Sequence, residues 1–311
     1  MTAGRLLEAE RFQRASGRRV LGCPARTPHE VVYGELGWSP VEYRRDDLRL
    51  RYFRRLVLMD EQRAVHRMFR YRKRKWDAAV LAGVSPLSRR SWCGETVAVM
   101  RKHGIGQYWA VAKWQTEELV KEQLWRATVE AGLGKSWMAE WSEGLSRKVS
   151  LELFRSLKES PSRERYLEYD VARNEEVALR VALRGGAHSL EVSRVRWGEC
   201  APPREERVCQ LCSAGLPEDV DHFLLGCVAL DDVRRATFRA IEARAGAEAP
   251  RGWLRRELDR ESSVRLLLGA ARQVPLPGGV GFMDVSEAMD LAALRGVSRM
   301  NRARERLLRG A

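Results

Sequence analysis

Cys209-Gln210-Leu211-Cys212, then nine residues, His222, four more residues and Cys227, is the stretch on which the fold turns. Two cysteines with two residues between them sit on one tight turn and present adjacent corners of a tetrahedron; a later histidine and cysteine close the sphere. Pro217-Glu218-Asp219-Val220-Asp221-His222-Phe223-Leu224-Leu225 reads as a helix start that carries His222 toward the cysteine turn. Asp219 or Asp221 is placed to hold the second imidazole nitrogen. Four protein ligands leave no coordination position for water, so the spacing predicts one structural zinc ion at Cys209, Cys212, His222 and Cys227. Cys200 is the one alternative ligand, and Cys23 and Cys93 read as buried thiols. Six cysteines in 311 residues, three of them clustered with a histidine, indicate metal binding rather than a disulfide framework.

Around this stretch the pattern is helical. Thr27-Pro28 and Ser39-Pro40 each place a capping residue before a proline at the first helical position. After Pro40, Val41, Leu48, Tyr52, Leu56 and Val57 recur among arginines as one apolar stripe on a charged rod. A break near Met59 and Asp60 precedes a second basic helix through Phe69. Helical stretches over 88–103, 115–131 and 136–157 end at Gly104, at Gly132 and before Pro161. From His188 to Cys212 short alternating stretches, Glu191-Val192-Ser193-Arg194-Val195-Arg196-Trp197 among them, predict a small ribbon. Helices return near 230–246, 253–269 and 285–309, and Pro275-Leu276-Pro277-Gly278-Gly279 reads as a loop or flexible linker. The expected fold class is mainly α: helical bundles with a small zinc-stapled ribbon-helix module. The expected organisation is a basic helical region over 1–175, a zinc-binding module over 176–245 and a helical C-terminal extension over 246–311.

The net charge of +14 and a pI near 10 suit a polyanionic partner, for which nucleic acid is the commonest candidate. Ten of the fourteen excess charges lie in the first hundred residues. Arg67, Arg70, Arg72, Lys73, Arg74 and Lys75 form the densest basic run, interleaved with Phe69, Tyr71 and Trp76, a composition suited to phosphate contact with base stacking nearby. The run also has the make-up of a nuclear-localisation patch. The N-terminus lacks the apolar core of a signal peptide and no stretch has the length of a membrane span. An intracellular protein, nuclear or cytoplasmic, with no membrane partner is expected.

Pro203-Arg204-Glu205-Glu206-Arg207-Val208-Cys209-Gln210-Leu211-Cys212, continuing to Glu218-Asp219-Val220-Asp221-His222-Phe223-Leu224-Leu225-Gly226-Cys227, resembles the zinc-binding tail that follows the polymerase domain in non-LTR (LINE-type) retrotransposon reverse transcriptases. Upstream, Leu183-Arg184-Gly185-Gly186-Ala187-His188-Ser189-Leu190 resembles the Arg-x-Gly-x-His-x-Leu stretch that precedes that tail. Near the N-terminus, Arg18-Arg19-Val20-Leu21-Gly22-Cys23-Pro24, Thr27-Pro28 and Glu35-Leu36-Gly37-Trp38 are similar to the region just beyond the catalytic core of the same elements. The resemblance implies that residues 1 to about 245 correspond to the post-polymerase, thumb-like or linker region and its zinc-binding (CCHC) domain. It further implies contact with template RNA or with single-stranded or target DNA, and a polymerase domain in cis or trans.

The departures bear on catalysis. Two-metal polymerisation needs paired carboxylates on a hairpin, and the family's Tyr-x-Asp-Asp motif is absent. Tyr43-Arg44-Arg45-Asp46-Asp47 comes closest, but it is one residue too long and lies in a helical pattern. The Pro-Asp and Glu-x-Lys arrangement of an endonuclease is not found after the zinc site, and the histidines have no nucleophile and base at a suggestive spacing. The expectation is a nucleic-acid-binding tail or remnant that is not itself an enzyme. The alternative is a stand-alone zinc-stapled helical adaptor that binds protein partners, its charge serving solubility.

Overall fold

The computed structural model describes residues 3–83, 91–194, 202–246 and 250–310. It is mainly helical. Contacts divide the chain into two units: Met1–Gln13 with Ser39–Glu143, and Arg14–Trp38 with Gly144–Ala311. Helices α1 (Ala3–Val20) and α7 (Glu122–Ser146) contribute residues to both.

The first unit is built on α3 (Val41–Val57), α4 (Ala64–Leu81), α5 (Trp92–Lys102), the one-turn α6 (Glu117–Val120) and most of α7. Its core is aromatic: Phe53 stacks on Trp109 at 5.8 Å and Phe69 on Trp114 at 5.8 Å, with Trp125 buried beside Phe53. The buried face of α3 is Tyr43, Asp46, Leu50, Phe53, Leu56 and Val57, while Leu48 and Tyr52 are exposed. The expected stripe through Leu48 and Tyr52 is therefore rotated. Positions 43, 46, 50, 53 and 57 keep the helical period more closely, and the acid among them is neutralised in place: Asp46, fully buried, meets His103 Nε2 at 3.2 Å and accepts from Arg45 Nε at 3.0 Å. Asp47 instead pairs with Arg51 one turn on, so the carboxylates of 46 and 47 have separate partners within one helix. Gly132 does not end a helix; α7 runs through it. A Cβ there would lie 2.5 Å from the His103 carbonyl oxygen, so this glycine serves close packing.

In the second unit, α2 (His29–Leu36) starts after Pro28, and neither Pro28 here nor Pro40 before α3 is accompanied by a side-chain cap. The helices α8 (Glu152–Leu157), α9 (Asn174–Arg184), α10 (Glu191–Arg194), α11 (Asp231–Ala245), α12 (Trp253–Glu257), α13 (Arg260–Leu267) and α14 (Glu287–Gly310) complete it. Strands β1 (Gln273–Pro275) and β2 (Phe282–Asp284) pair antiparallel. The segment expected as a loop or flexible linker is the turn of this hairpin, closed by Leu276 N–H to the Gly281 carbonyl at 2.8 Å; Gly278 and Gly279 supply the positive φ it needs. Residues 191–194, expected in a ribbon, form α10, and residues 195–201 of that stretch, Cys200 among them, lie outside the described residues.

One core spans the expected module and the expected extension: Leu190, Cys209, Phe223, Leu224 and Cys227 are clustered with Trp253, Leu267, Met289 and Val297. Helices α11 and α14 pack closely because residue 296 is glycine; a Cβ there would overlap the Thr237 side chain at 2.1 Å.

Arg184, fully buried, donates to Glu35 at 2.8 Å, to Glu164 at 2.9 Å and to the Leu268 carbonyl at 2.9 Å. Lys158 joins Glu164 at 2.6 Å. Burial pushes the Glu164 carboxyl upward, but Arg184 and Lys158 outweigh it and hold the group below its ordinary value of 4.5. A carboxyl depressed by folding stabilises the protein fully above its unfolded pKa, and that stabilisation is lost as pH falls through the folded value. Replacement of Arg184 by Met strands the buried Glu35 carboxylate and leaves Glu164 to Lys158 alone, and is expected to cost about 3–5 kcal/mol. The loss, read by urea denaturation at pH 7, should shrink as pH falls below the ordinary carboxylate range.

Candidate metal centre and basic surface

The cysteine turn is held by two backbone contacts. Cys209 N–H donates to Leu216 O at 2.9 Å and Glu218 N–H to Arg207 O at 2.9 Å, flanking the antiparallel bridge of Val208 and Pro217. This is the small ribbon, placed over 207–218 rather than 188–212. From Asp219 the chain turns into a π-helical turn, His222–Gly226, that directs the imidazole back at the cysteines. Asp219 Oδ1 accepts the His222 backbone N–H at 2.8 Å and thereby starts that turn.

Cys209, Cys212, His222 and Cys227 each bring one ligand atom to a group whose members lie within 4.8 Å of one another, close enough to hold a metal ion. Cys209 Sγ and Cys227 Sγ are 3.8 Å apart, and Cys212 Sγ is 3.4 Å from His222 Nε2. Thiolates about 2.3 Å and an imidazole nitrogen about 2.0 Å from one centre at tetrahedral angles would be separated by ~3.8 Å for a sulfur pair and ~3.5 Å for sulfur and nitrogen. Both separations match that geometry, and the four side chains lie close enough together to hold one metal ion.

Burial raises the Cys209 thiol to about 12, with the neighbouring Cys227 adding to the rise, and burial raises Cys227 as well. Burial lowers the His222 pKa, against the opposing pull of Asp219 and Glu218, so the imidazole is neutral near pH 7. Thiols that hold protons without metal must release them on coordination, which makes metal uptake pH-dependent.

Neither expected acid holds the second nitrogen of His222. Asp219 is committed to the His222 backbone and to Arg204, at 2.7 Å, and Asp221 pairs with Arg260. The His222 Nδ1 is buried without a hydrogen-bond partner among the described residues. The supports of the site come from residues that spacing did not single out. Arg234, buried on α11, donates to the Cys227 carbonyl at 2.5 Å and to Leu224 O at 2.8 Å. Glu218, also buried, accepts from Arg304 of α14 at 2.6 Å and from the Glu191 N–H at 2.9 Å. Only Glu218 carried a sequence signal, since it lies inside the quoted zinc-tail stretch; no motif or spacing marks Arg234 or Arg304.

The structure divides the basic run of α4. Arg67, Tyr71, Arg72, Arg74 and Lys75 are exposed. Lys73 points inward: it is buried, pairs with Asp77 at 2.6 Å and lies 4.8 Å from the Trp109 ring centroid. Trp76 packs edge-on against Trp109 at 5.8 Å, and the Arg70 guanidinium covers Trp114 at 4.9 Å. The helical period explains the division, because 66, 69, 73 and 76 form the inner face of α4. Just before α4, Arg54, Arg55 and Arg63 line a pocket of 470 Å³ with Asp60, a cation cluster the reading of the run alone left out.

No protein-family model matches the chain, and comparison with curated proteins and with solved structures returns no significant match.

Purified protein is expected to carry one metal ion per chain by elemental analysis. Cys209→Ser or His222→Ala should abolish it, whereas Cys23→Ser and Cys93→Ser should retain it. Because the ligands share a core with Trp253 and Met289, chelation should expose protease sites in α12 to α14 as well as between 202 and 246.

Proposed function

We propose that the chain is a zinc-binding, nucleic-acid-binding protein equivalent to the post-polymerase tail of a non-LTR retrotransposon reverse transcriptase, contacting template RNA or target DNA without polymerase or endonuclease residues of its own. The observation that carries the nucleic-acid reading is the exposed face of α4. There Arg67, Arg72, Arg74 and Lys75 flank Tyr71, a residue 54% exposed whose ring centroid lies 4.9 Å from the Lys75 ammonium. Phosphate neutralisation and an exposed ring for base stacking are the two components of sequence-tolerant single-strand binding.

Zinc is the metal that three thiolates and one imidazole in tetrahedral array favour, and its closed coordination makes the ion a staple rather than a Lewis acid. The likeness to the retrotransposon tail is supported by how its quoted stretches meet. Glu35 of the N-terminal stretch is the buried partner of Arg184 in the Arg-x-Gly-x-His-x-Leu stretch. In that stretch Gly186 has φ +65 and no room for a Cβ beside the Ser150 carbonyl, His188 Nδ1 accepts the Leu190 N–H at 3.3 Å, and Leu190 is buried in the core around the cysteines. Glu35, Arg184, Gly186, His188 and Leu190 thus each have a physical task.

Affinity for a labelled single-stranded RNA should fall with salt at a log-log slope of about −0.7 per phosphate contact. Joint replacement of Arg67, Arg72, Arg74 and Lys75 by Gln should flatten that slope by up to about three units if all four touch phosphate, and Tyr71→Ala should weaken binding with the slope kept. Lys73→Gln should lower stability and leave the slope unchanged. A protein adaptor would show no contribution from Tyr71 and equal association with heparin; that result would refute the reading.

A further inference from the structure

We propose that the arginine face of α14 is a second site for a nucleic-acid phosphate backbone, on which a strand lies along the helix. The proposal rests on the nucleic-acid reading above and assigns it a surface that no motif marked. From Arg295 to Arg309 the chain carries six arginines and one acid, Glu305. Arg304 turns inward to Glu218. Arg295, Arg299, Arg302, Arg306 and Arg309 are all exposed. Their separations of four, three, four and three residues keep them on one face, and at about 1.5 Å per residue the row extends ~21 Å with a cation roughly every 5 Å.

Four of the five, Arg299, Arg302, Arg306 and Arg309, line a groove of 510 Å³ together with Val233 of α11 and Glu305. Counter-charges inside the protein are few. Arg302 reaches Glu175 at 3.2 Å and Arg309 reaches Glu305 at 3.8 Å, while Arg299 and Arg306 have no carboxylate partner among the described residues. The carbonyl end of the helix favours cations in its last turn only, so it accounts for Arg309 and not for a row three further turns long. Like charges held this close attract counterions, and release of those counterions drives association with phosphates. The planar guanidinium fork matches two phosphate oxygens at once.

The length of the row selects a polyanion over a single anion. A membrane is the other extended polyanion, but a helix that lies on lipid inserts its apolar face. In α14 that face, with Ala293, Leu294, Val297 and Met300, is buried in the protein core.

The test uses the full zinc-loaded chain, a labelled oligo-uridine RNA, and vesicles of phosphatidylcholine with phosphatidylserine. In the variant R299Q/R306Q/R309Q the salt slope on RNA should fall by about two units, at about 0.7 per lost contact. The variant R299K/R306K/R309K, which keeps the charge, should retain the slope and confirm that the surface is folded. Metal content should match wild type in both. If wild type binds RNA and the glutamine variant keeps its slope, the α14 site is overturned and the α4 reading stands. If wild type binds no RNA, both fall. Loss of binding to vesicles, with RNA binding intact, would also overturn the proposal in favour of a membrane surface.

Discussion

Arg184 holds the second unit together. It is a cation with no access to solvent, and its position is tolerable only because Glu35 and Glu164 reach it from different parts of the chain and Leu268 offers a carbonyl. With Lys158 on Glu164, two cations meet two carboxylates, so the cluster is neutral as a whole while each member alone would be an uncompensated buried charge. Tyr166 donates its hydroxyl to Glu35 and lies within reach of the guanidinium. Burial, with Glu35 close by, drives the tyrosine's pKa well upward, so it remains a donor. Such a network adds little net stability compared with an apolar replacement, but it admits one arrangement of α2, α9 and the 158–166 segment. The order of the metal site follows from that arrangement. Two residues beyond Arg184 the chain reverses at Gly186, His188 and Ser193 close the reversal at 3.3 Å, and the Glu191 N–H meets Glu218 beside the cysteine turn.

The cysteine cluster is therefore not a free-standing module. Cys209 and Cys227 belong to the same apolar core as α11 to α14, and two buried arginines tie them to it, Arg234 at the Cys227 carbonyl and Arg304 at Glu218. A metal in such a place joins a ribbon with few hydrogen bonds of its own to helices that are already packed, which is why loss of metal would be felt beyond the ligands.

The cysteine–histidine cluster was legible in the sequence because tetrahedral coordination would impose a local spacing, and a Cys-x-x-Cys turn with a later His and Cys carries that spacing almost unaided. Helices were legible for the same reason, since period and punctuation are local. The rest was not, because its cause is distant along the chain. Glu35 and Arg184 are 149 residues apart, Arg304 and Glu218 are 86 apart, and Arg180 meets Asp290 across 110; nothing near any of them announces a buried partner. Gly132 shows the limit of punctuation. Glycine marks the end of a helix when its freedom in φ is used, and marks close packing when its missing Cβ is used, and only the neighbour, here the His103 carbonyl, distinguishes the two.

The same distinction governs charge. A net charge of +14 is a sum over residues in opposite circumstances. Arg180, Arg184, Arg234, Arg304 and Lys73 are buried against carboxylates or carbonyls; their fields are largely cancelled where they stand, and they contribute to fold rather than to attraction. What can act on a polyanion is the remainder, and the outer face of α4 and the length of α14 each carry a group of it. Within α4 the period sorts the run, sending Lys73 inward and leaving Arg72, Arg74 and Lys75 outside. Along α14 it leaves a row of arginines that no dense basic run announces, because the row is interleaved with the buried face. Long-range attraction depends on total charge, but counterion release depends on cations free to meet phosphate, so the surface arginines rather than the composition set how firmly this protein could hold a strand.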